Sequence, residues 1–305
     1  MPSAGALRCA AVSRAGRRLL LDTSSLVYRA FFALPTSIAD PHGRPVNAVR
    51  GYLDMTARLV ANRRPREVVH VLDDDWRPAE RVALYAGYKS ERRADPPELP
   101  PQFELIDEVL DAFGAIRALA RGWEADDAIG AICAHAGADD ELDVVTGDRD
   151  LLQLVRDDGP VVRVLYTLRG VSELKTFDEA AVRREYGVPP ARYVDFAILR
   201  GDPSDGLPGV AGVGPKTARD LVNGCGSLTD LVDAAGRQSP RLALKLREAR
   251  PYLEAMDRVV PVRTDVPVEL LRGTRDDARL DALAEERALE SPVARLRAAL
   301  ARVGG

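Results

Sequence analysis

The 305-residue chain is 46% hydrophobic and 30% charged with a net charge of −4, which marks a folded globular protein and excludes a disordered or fibrous one. No apolar run approaches the roughly 18 residues needed to span a membrane, so no membrane partner is expected. Three scattered cysteines and three histidines, without HxH or HExxH spacing, suggest a reducing compartment and argue against a disulfide framework or a zinc enzyme.

At the N-terminus, Arg8, Arg14, Arg17 and Arg18 are accompanied by no acid, and Arg8 breaks the apolar stretch. That makes a poor secretory signal, so residues 1–17 read as a disordered extension or a misassigned start. Three short apolar runs then end in aspartate. RRLLLDTSS places Asp22 after Leu19–Leu21, REVVHVLDDD places Asp73 after Val68–Leu72, and ELDVVTGDRD places Asp148 and Asp150 after Val144–Val145. Alternating with helical stretches, such runs predict parallel strands of an α/β sheet, whose ligands bind outside the carboxyl ends of the strands. The acids at these three strand ends should therefore share one rim.

Between the second and third of these runs, WRPAERVALYAGYKSERR (76–93) carries Arg77, Arg81, Lys89, Arg92 and Arg93 against Glu80 and Glu91. Trp76, Tyr85 and Tyr88 are interleaved with them. Basic groups bind phosphates and aromatics stack on unpaired bases, although a solvated helix face with core aromatics has the same composition. The total charge alone argues against a nucleic-acid partner; this local segregation reverses that argument. The prolines after Asp95 close the segment before a helix over QFELIDEVLDAF.

GWEADDAIGAICAHA predicts a helix with Ile129, Ile132 and Cys133 on one face and Glu124, Asp126 and Asp127 in its first turn. Taken alone, that cluster is equally a helix N-terminus that favours acids. YVDFAILR has helical spacing and leads into GDPSDGLPGVAGVGPKT (201–217), which holds Asp202 and Asp205. The glycines and Lys216 suggest a phosphate-binding P-loop, but Pro215 separates Gly214 from Lys216 and no buried strand precedes the loop. PKTARDLVNGCGSLTDLVDAA instead predicts a helix opened by Pro215, a turn at Asn223–Gly226 and a second helix from Ser227. The Gly212–Gly214 turn, Lys216 and Thr217 would offer N–H groups and charge to a duplex phosphate.

The nine candidate acids are Asp22, Asp73, Glu124, Asp126, Asp127, Asp148, Asp150, Asp202 and Asp205. Converging carboxylates without basic partners must be protonated or bound to cations. Oxygen-only ligation points to Mg²⁺ or Mn²⁺, and two such ions roughly 3.5–4 Å apart suit phosphodiester hydrolysis.

Four blocks in order, YKSERR (88–93), EADD (124–127), TGDRDLLQLV (146–155) and GDPSDGLPGVAGVGPKTA (201–218), resemble the signature blocks of the 5′ nuclease superfamily. That group comprises flap endonucleases and the 5′–3′ exonuclease domain of bacterial DNA polymerase I. The resemblance covers about residues 17–290 and implies a free-standing 5′–3′ exonuclease and flap endonuclease acting in replication and repair. It implies a mostly parallel PIN-like core (18–190) with a helical arch at about 76–100. A helix–three-turn–helix DNA-binding subdomain with C-terminal helices (191–290) and a tail (291–305) would follow.

The resemblance implies Asp22, Asp73, Glu124 and Asp126 around one metal, and Asp148, Asp150 and Asp205 around another, with Asp126 shared. Asp127 and Asp202 would be outer or additional ligands. Lys89 and Arg92 would contact the scissile phosphate, and Tyr88 would stack on the terminal base. Arg77, Arg81, Arg93, Gly212, Gly214, Lys216 and Thr217 would bind DNA, with K⁺ held by carbonyls of the hairpin. A monomer acting in the bacterial cytoplasm, at the nucleoid, on flaps, nicks, gaps or RNA-primed 5′ ends is expected. Two departures stand out: Gly206 replaces the family's asparagine, and LDDD leaves Asp74 as a rival to Asp73. The alternatives are a PIN-like ribonuclease, against which the 209–230 hairpin argues, and a catalytically silent duplex-binding protein, against which the filled acid positions argue.

Overall fold

The structure, a computed structural model, describes residues 16–169 and 171–303. Residues 1–15 of the expected N-terminal extension lie outside the described residues, while Arg17 already opens the first strand.

Strands β1 (Arg17–Asp22), β2 (Glu67–Val71), β3 (Ile116–Ala120), β4 (Glu141–Thr146), β5 (Val161–Arg169), β6 (Glu173–Phe177) and β7 (Val268–Arg272) form one sheet. Its order is β6-β5-β4-β1-β2-β3-β7. The five central strands are parallel, and β6 and β7 close the edges antiparallel. Leu19–Leu21, Val69, Val71, Val144 and Val145 are buried, as expected for strands covered on both faces. Leu21 pairs with His70 on one side and Val145 on the other. That register carries Asp22, Asp73 and Asp148 to the same carboxyl edge, as the sequence predicts.

One face is covered by α1 (Thr23–Ala33), α2 (Asn47–Arg63) and, after the short α3 (Ala79–Leu84), by α4 (Pro100–Ala112). The other face receives α5 (Ala125–Ala134), α6 (Glu179–Tyr186) and α7 (Tyr193–Arg200). The helical group α8 (Pro215–Gly224), α9 (Leu228–Asp233), α10 (Pro240–Glu248) and α11 (Arg250–Val259) extends that second core. The expected hairpin is present: Pro215 opens α8, and the Ser227 hydroxyl accepts the Asp230 N–H at 3.0 Å to cap α9.

Two expectations are corrected. The arch segment is helical only over α3; beyond it the chain turns inward, with Tyr85 packed edge-on against Tyr252 and Tyr88 buried. The C-terminal tail is not a tail. After α12 (Asp277–Glu286), α13 (Glu290–Ala301) buries Val293, Leu296 and Ala299 in the α1/α2 core.

Candidate active site

A cleft of about 1730 Å³ opens at the carboxyl edge, lined by Asp22, Asp73, Glu124, Asp126 and Asp148 among others. Asp22 ends β1 and caps α1, accepting the Ser25 N–H at 3.1 Å and the Thr146 hydroxyl at 2.6 Å. Burial and the neighbouring Asp73 charge push its carboxyl up to about 7. Asp73 accepts the first N–H of α5, from Ala125, at 2.8 Å, and the Ser24 hydroxyl. The N-termini of α1 and α5 thus place partial positive charge against the acids. Asp74 instead accepts from Arg121 at 2.9 Å and from the Gly122 N–H at 2.7 Å. Asp73, not Asp74, therefore lines the cleft.

Asp126 and Asp150 have no hydrogen-bonding partner for their carboxylates among the described residues. Burial and the charge of Asp148 raise both well above the ordinary carboxylate range. Asp148 receives the Asp150 N–H at 2.8 Å and offers its own N–H to Thr146 Oγ1 at 2.8 Å. Asp205, raised by burial to about 6, meets Arg92 at 3.4 Å. Asp202 caps its short turn through the Ser204 N–H at 3.0 Å and lies 3.7 Å from Arg200.

Beside this open rim lies a saturated one. Glu124 accepts from Arg81 at 2.9 Å, from the Tyr88 hydroxyl at 2.7 Å and from Lys89. Asp127 accepts both terminal nitrogens of Arg81, at 2.7 and 2.8 Å, and the Arg263 N–H at 2.9 Å. Arg81 also donates to the Val259 carbonyl at 2.9 Å. Four expectations fall here. Asp127 is fully buried with its oxygens occupied, so it is no outer ligand. Arg81, 4% exposed, and Tyr88, 5% exposed, cannot reach DNA from these positions. Arg77 directs its guanidinium to the carbonyls of Tyr88 at 2.7 Å and Ala86 at 2.8 Å, fastening the arch segment rather than facing a ligand.

Lys89 is buried against Glu124 yet lines the cleft. Burial works against its charge, but the carboxylates of Glu124 and Asp205 outweigh it and hold the ammonium above its ordinary range. Its backbone is left-handed (φ 51°), held by its N–H on the Asp205 carbonyl at 3.0 Å. Arg92 and Arg93 are exposed on the same wall.

The close approach of the arch backbone also explains Gly206. It has φ 72°, and an added Cβ would strike the Gly87 carbonyl. An asparagine would not fit without moving the arch segment. Across the helical group, Gly212, Gly214 and Lys216 are exposed and Thr217 half-buried at the start of α8. Lys245, which the sequence reading passes over, lies against Gly212 so closely that a Cβ there would strike its ammonium.

Among the described residues no three His, Cys, Asp or Glu side chains already converge closely enough to enclose an ion. The donor set nevertheless fits a hard cation: carboxylates only, crowded, with Asp126 and Asp150 lacking donors. The sequence reading missed Ser24, Ser25 and Thr146, which hold Asp22, Asp73 and the 147–150 turn; the hydroxyl-rich DTSS and TGD stretches were the available signal.

Residues 17–187 match the family model for the 5′–3′ exonuclease N-terminal resolvase-like domain, and residues 188–283 match that for the 5′–3′ exonuclease C-terminal SAM fold. A 5′–3′ exonuclease of Streptomyces coelicolor is 47% identical over 298 residues, covering 91% of this chain and 98% of the relative. DNA polymerase I of Mycobacterium leprae is 41% identical over 86% of this chain, which spans 28% of that protein. The fold is similar to that of the bacteriophage T5 flap endonuclease solved with DNA and metal ions, at a TM-score of 0.62 and 16% identity over 94% of this chain and 99% of that one. With both domain models matched in order along one continuous chain, the protein belongs to the 5′–3′ exonuclease family.

Proposed function

We propose that the chain is a divalent-metal-dependent, structure-specific 5′ nuclease that hydrolyses DNA near free 5′ ends and single-strand/duplex junctions, including flaps, nicks, gaps and RNA-primed ends. The observation that carries this reading is the open carboxylate rim. Asp126 and Asp150, without donors among the described residues, crowd against Asp22, Asp148 and Asp205 at one strand edge. Glu124 joins them only if Lys89, Tyr88 or Arg81 yields a place.

Bound Mg²⁺ or Mn²⁺ supplies an activated water and charge at the leaving oxygen. The chain's own residues hold the substrate. Lys89 and Arg92 project from the arch segment beside the acids and stabilise charge on the scissile phosphate. The N–H groups and Lys216 at the start of α8 grip a duplex phosphate, and hairpin carbonyls could hold K⁺. The division of labour follows residues 18–190 for chemistry and 191–290 for duplex binding, in a monomer of the cytoplasm. No helix among the described residues is long and apolar enough to cross a membrane.

A 5′-labelled flap, a nicked duplex and a plain RNA strand, each incubated with Mg²⁺, Mn²⁺ or chelator, test the reading. Cleavage near the flap junction, dependent on the ion, is expected. Preferential cleavage of the RNA strand would favour a PIN-like ribonuclease, and binding without cleavage would favour a silent duplex-binding protein.

A further inference from the structure

Three aromatics lie in the basic segment 76–93, and the fold sorts them. Tyr88 is buried with its hydroxyl on Glu124, and Tyr85 is half-buried against Tyr252. Trp76 alone stands out: it follows the Asp73–Asp75 turn at the end of β2, lines the cleft with Lys89 and Arg92, and leaves 50% of its surface exposed. An exposed indole beside charged groups is the informative exception to ordinary burial. One side of the ring is approached by the Arg92 guanidinium, whose carbon lies 6.0 Å from the ring centroid. Indole and guanidinium planes are the two side-chain surfaces on which unpaired bases stack.

We propose that Trp76 is the stacking surface for an unpaired nucleobase of the strand entering the cleft, the role that the sequence resemblance gave to Tyr88. The inference takes its substrate class, single-stranded DNA, from the nuclease reading above. Arg92 holds the backbone phosphate of the strand while Trp76 holds a base, so the arch base recognises unpaired DNA without reading sequence. A duplex end, whose bases are already stacked, gains nothing from the ring.

The protein has only two tryptophans, which gives a direct readout. Trp123 is packed against the Arg81 and Arg263 guanidiniums, 5.9 and 5.0 Å from its ring, and does not line the cleft. In chelator, an unpaired oligothymidine is expected to quench the wild-type tryptophan emission, and Trp76→Phe to abolish the quenching with an unchanged melting temperature. Trp76→Ala is expected to weaken binding of a 5′-flap DNA roughly ten-fold and of a nicked duplex less than about two-fold, with Trp76→Phe restoring most of the flap affinity. Quenching that persists in Trp76→Phe would overturn the proposal. Equal losses on flap and nick would do so too, assigning Trp76 to steering Arg92. If the flap is never cleaved with any ion but the quenching holds, the nuclease reading falls and the stacking role stands; cleavage without quenching gives the reverse.

Discussion

Asp126 and Asp127 are adjacent in α5, yet Asp127 receives both terminal nitrogens of Arg81 and the Arg263 N–H, whereas the Asp126 carboxylate meets no donor among the described residues and faces the cleft. One step of about 100° around a helix separates a structural ion pair from a site poised for a cation. The difference shows that acids of one cluster acquire their roles from partners that lie far away in the chain: Arg81 in α3 on one side, Asp22 and Asp148 at strand ends on the other. The paired side joins the arch segment, α5 and the end of α11 into one rigid support. The open side holds crowded carboxyls that cling to their protons in the absence of a cation.

The contrast breaks most sharply in activity. Asp126→Asn is expected to lower cleavage by on the order of a thousand-fold or more while leaving DNA binding intact, as measured by single-turnover cleavage and a binding assay. Next, on the paired side, Arg81→Ala leaves two buried carboxylates without their partner. It should cost about 3–5 kcal/mol, a melting-temperature drop of roughly 5–15 °C by calorimetry. A drop of under a degree would show that the buried pair supports nothing.

The open side also makes stability depend on pH. The Asp22 and Asp205 carboxyls, raised from 3.8 to about 7 and about 6, bind protons more tightly folded than unfolded. In chelator, stability should therefore fall as pH rises from about 4 to about 7, with the loss complete above that range. Mn²⁺ should restore it at the upper end, and a melting temperature that rises across this window without metal would contradict the assignment. A smaller effect is expected at Gly206→Asn, about 1–3 kcal/mol by denaturant unfolding, from its left-handed backbone and the Gly87 carbonyl behind it. Smallest is Lys216→Ala: duplex binding should weaken a few-fold, and the slope of log affinity against log salt should shrink by about 1.

The strand-end acids were legible in the sequence because short apolar runs ending in aspartate fix both a parallel strand and its functional edge. The α8–α9 hairpin was legible because Pro215, the Asn223–Gly226 turn and Ser227 are local signals. Arg81, Tyr88 and Asp127 were misread for the opposite reason. Their residue types suit a DNA or metal site, but their partners are brought in only by tertiary packing: Glu124 and the Val259 carbonyl for Arg81, Glu124 for Tyr88, and Arg81 with the Arg263 N–H for Asp127. Arg77 is a subtler case, since the carbonyls it fastens are close in sequence but exposed to it only by an irregular turn. Helix α13 lacked a strong cap and read as a tail, yet it is fixed by the apolar surface of α2. Gly206, an unexplained departure in sequence, became intelligible once Gly87 was found behind it.

The central claim, that the open carboxylates rather than the paired ones carry the metal ions, is tested most directly by calorimetric titration of Mn²⁺ into the wild type, Asp126→Asn and Asp74→Asn at neutral pH. Wild type and Asp74→Asn should bind alike, with binding in Asp126→Asn weakened at least about ten-fold, the loss of one carboxylate ligand. Undiminished Mn²⁺ binding in Asp126→Asn would contradict it.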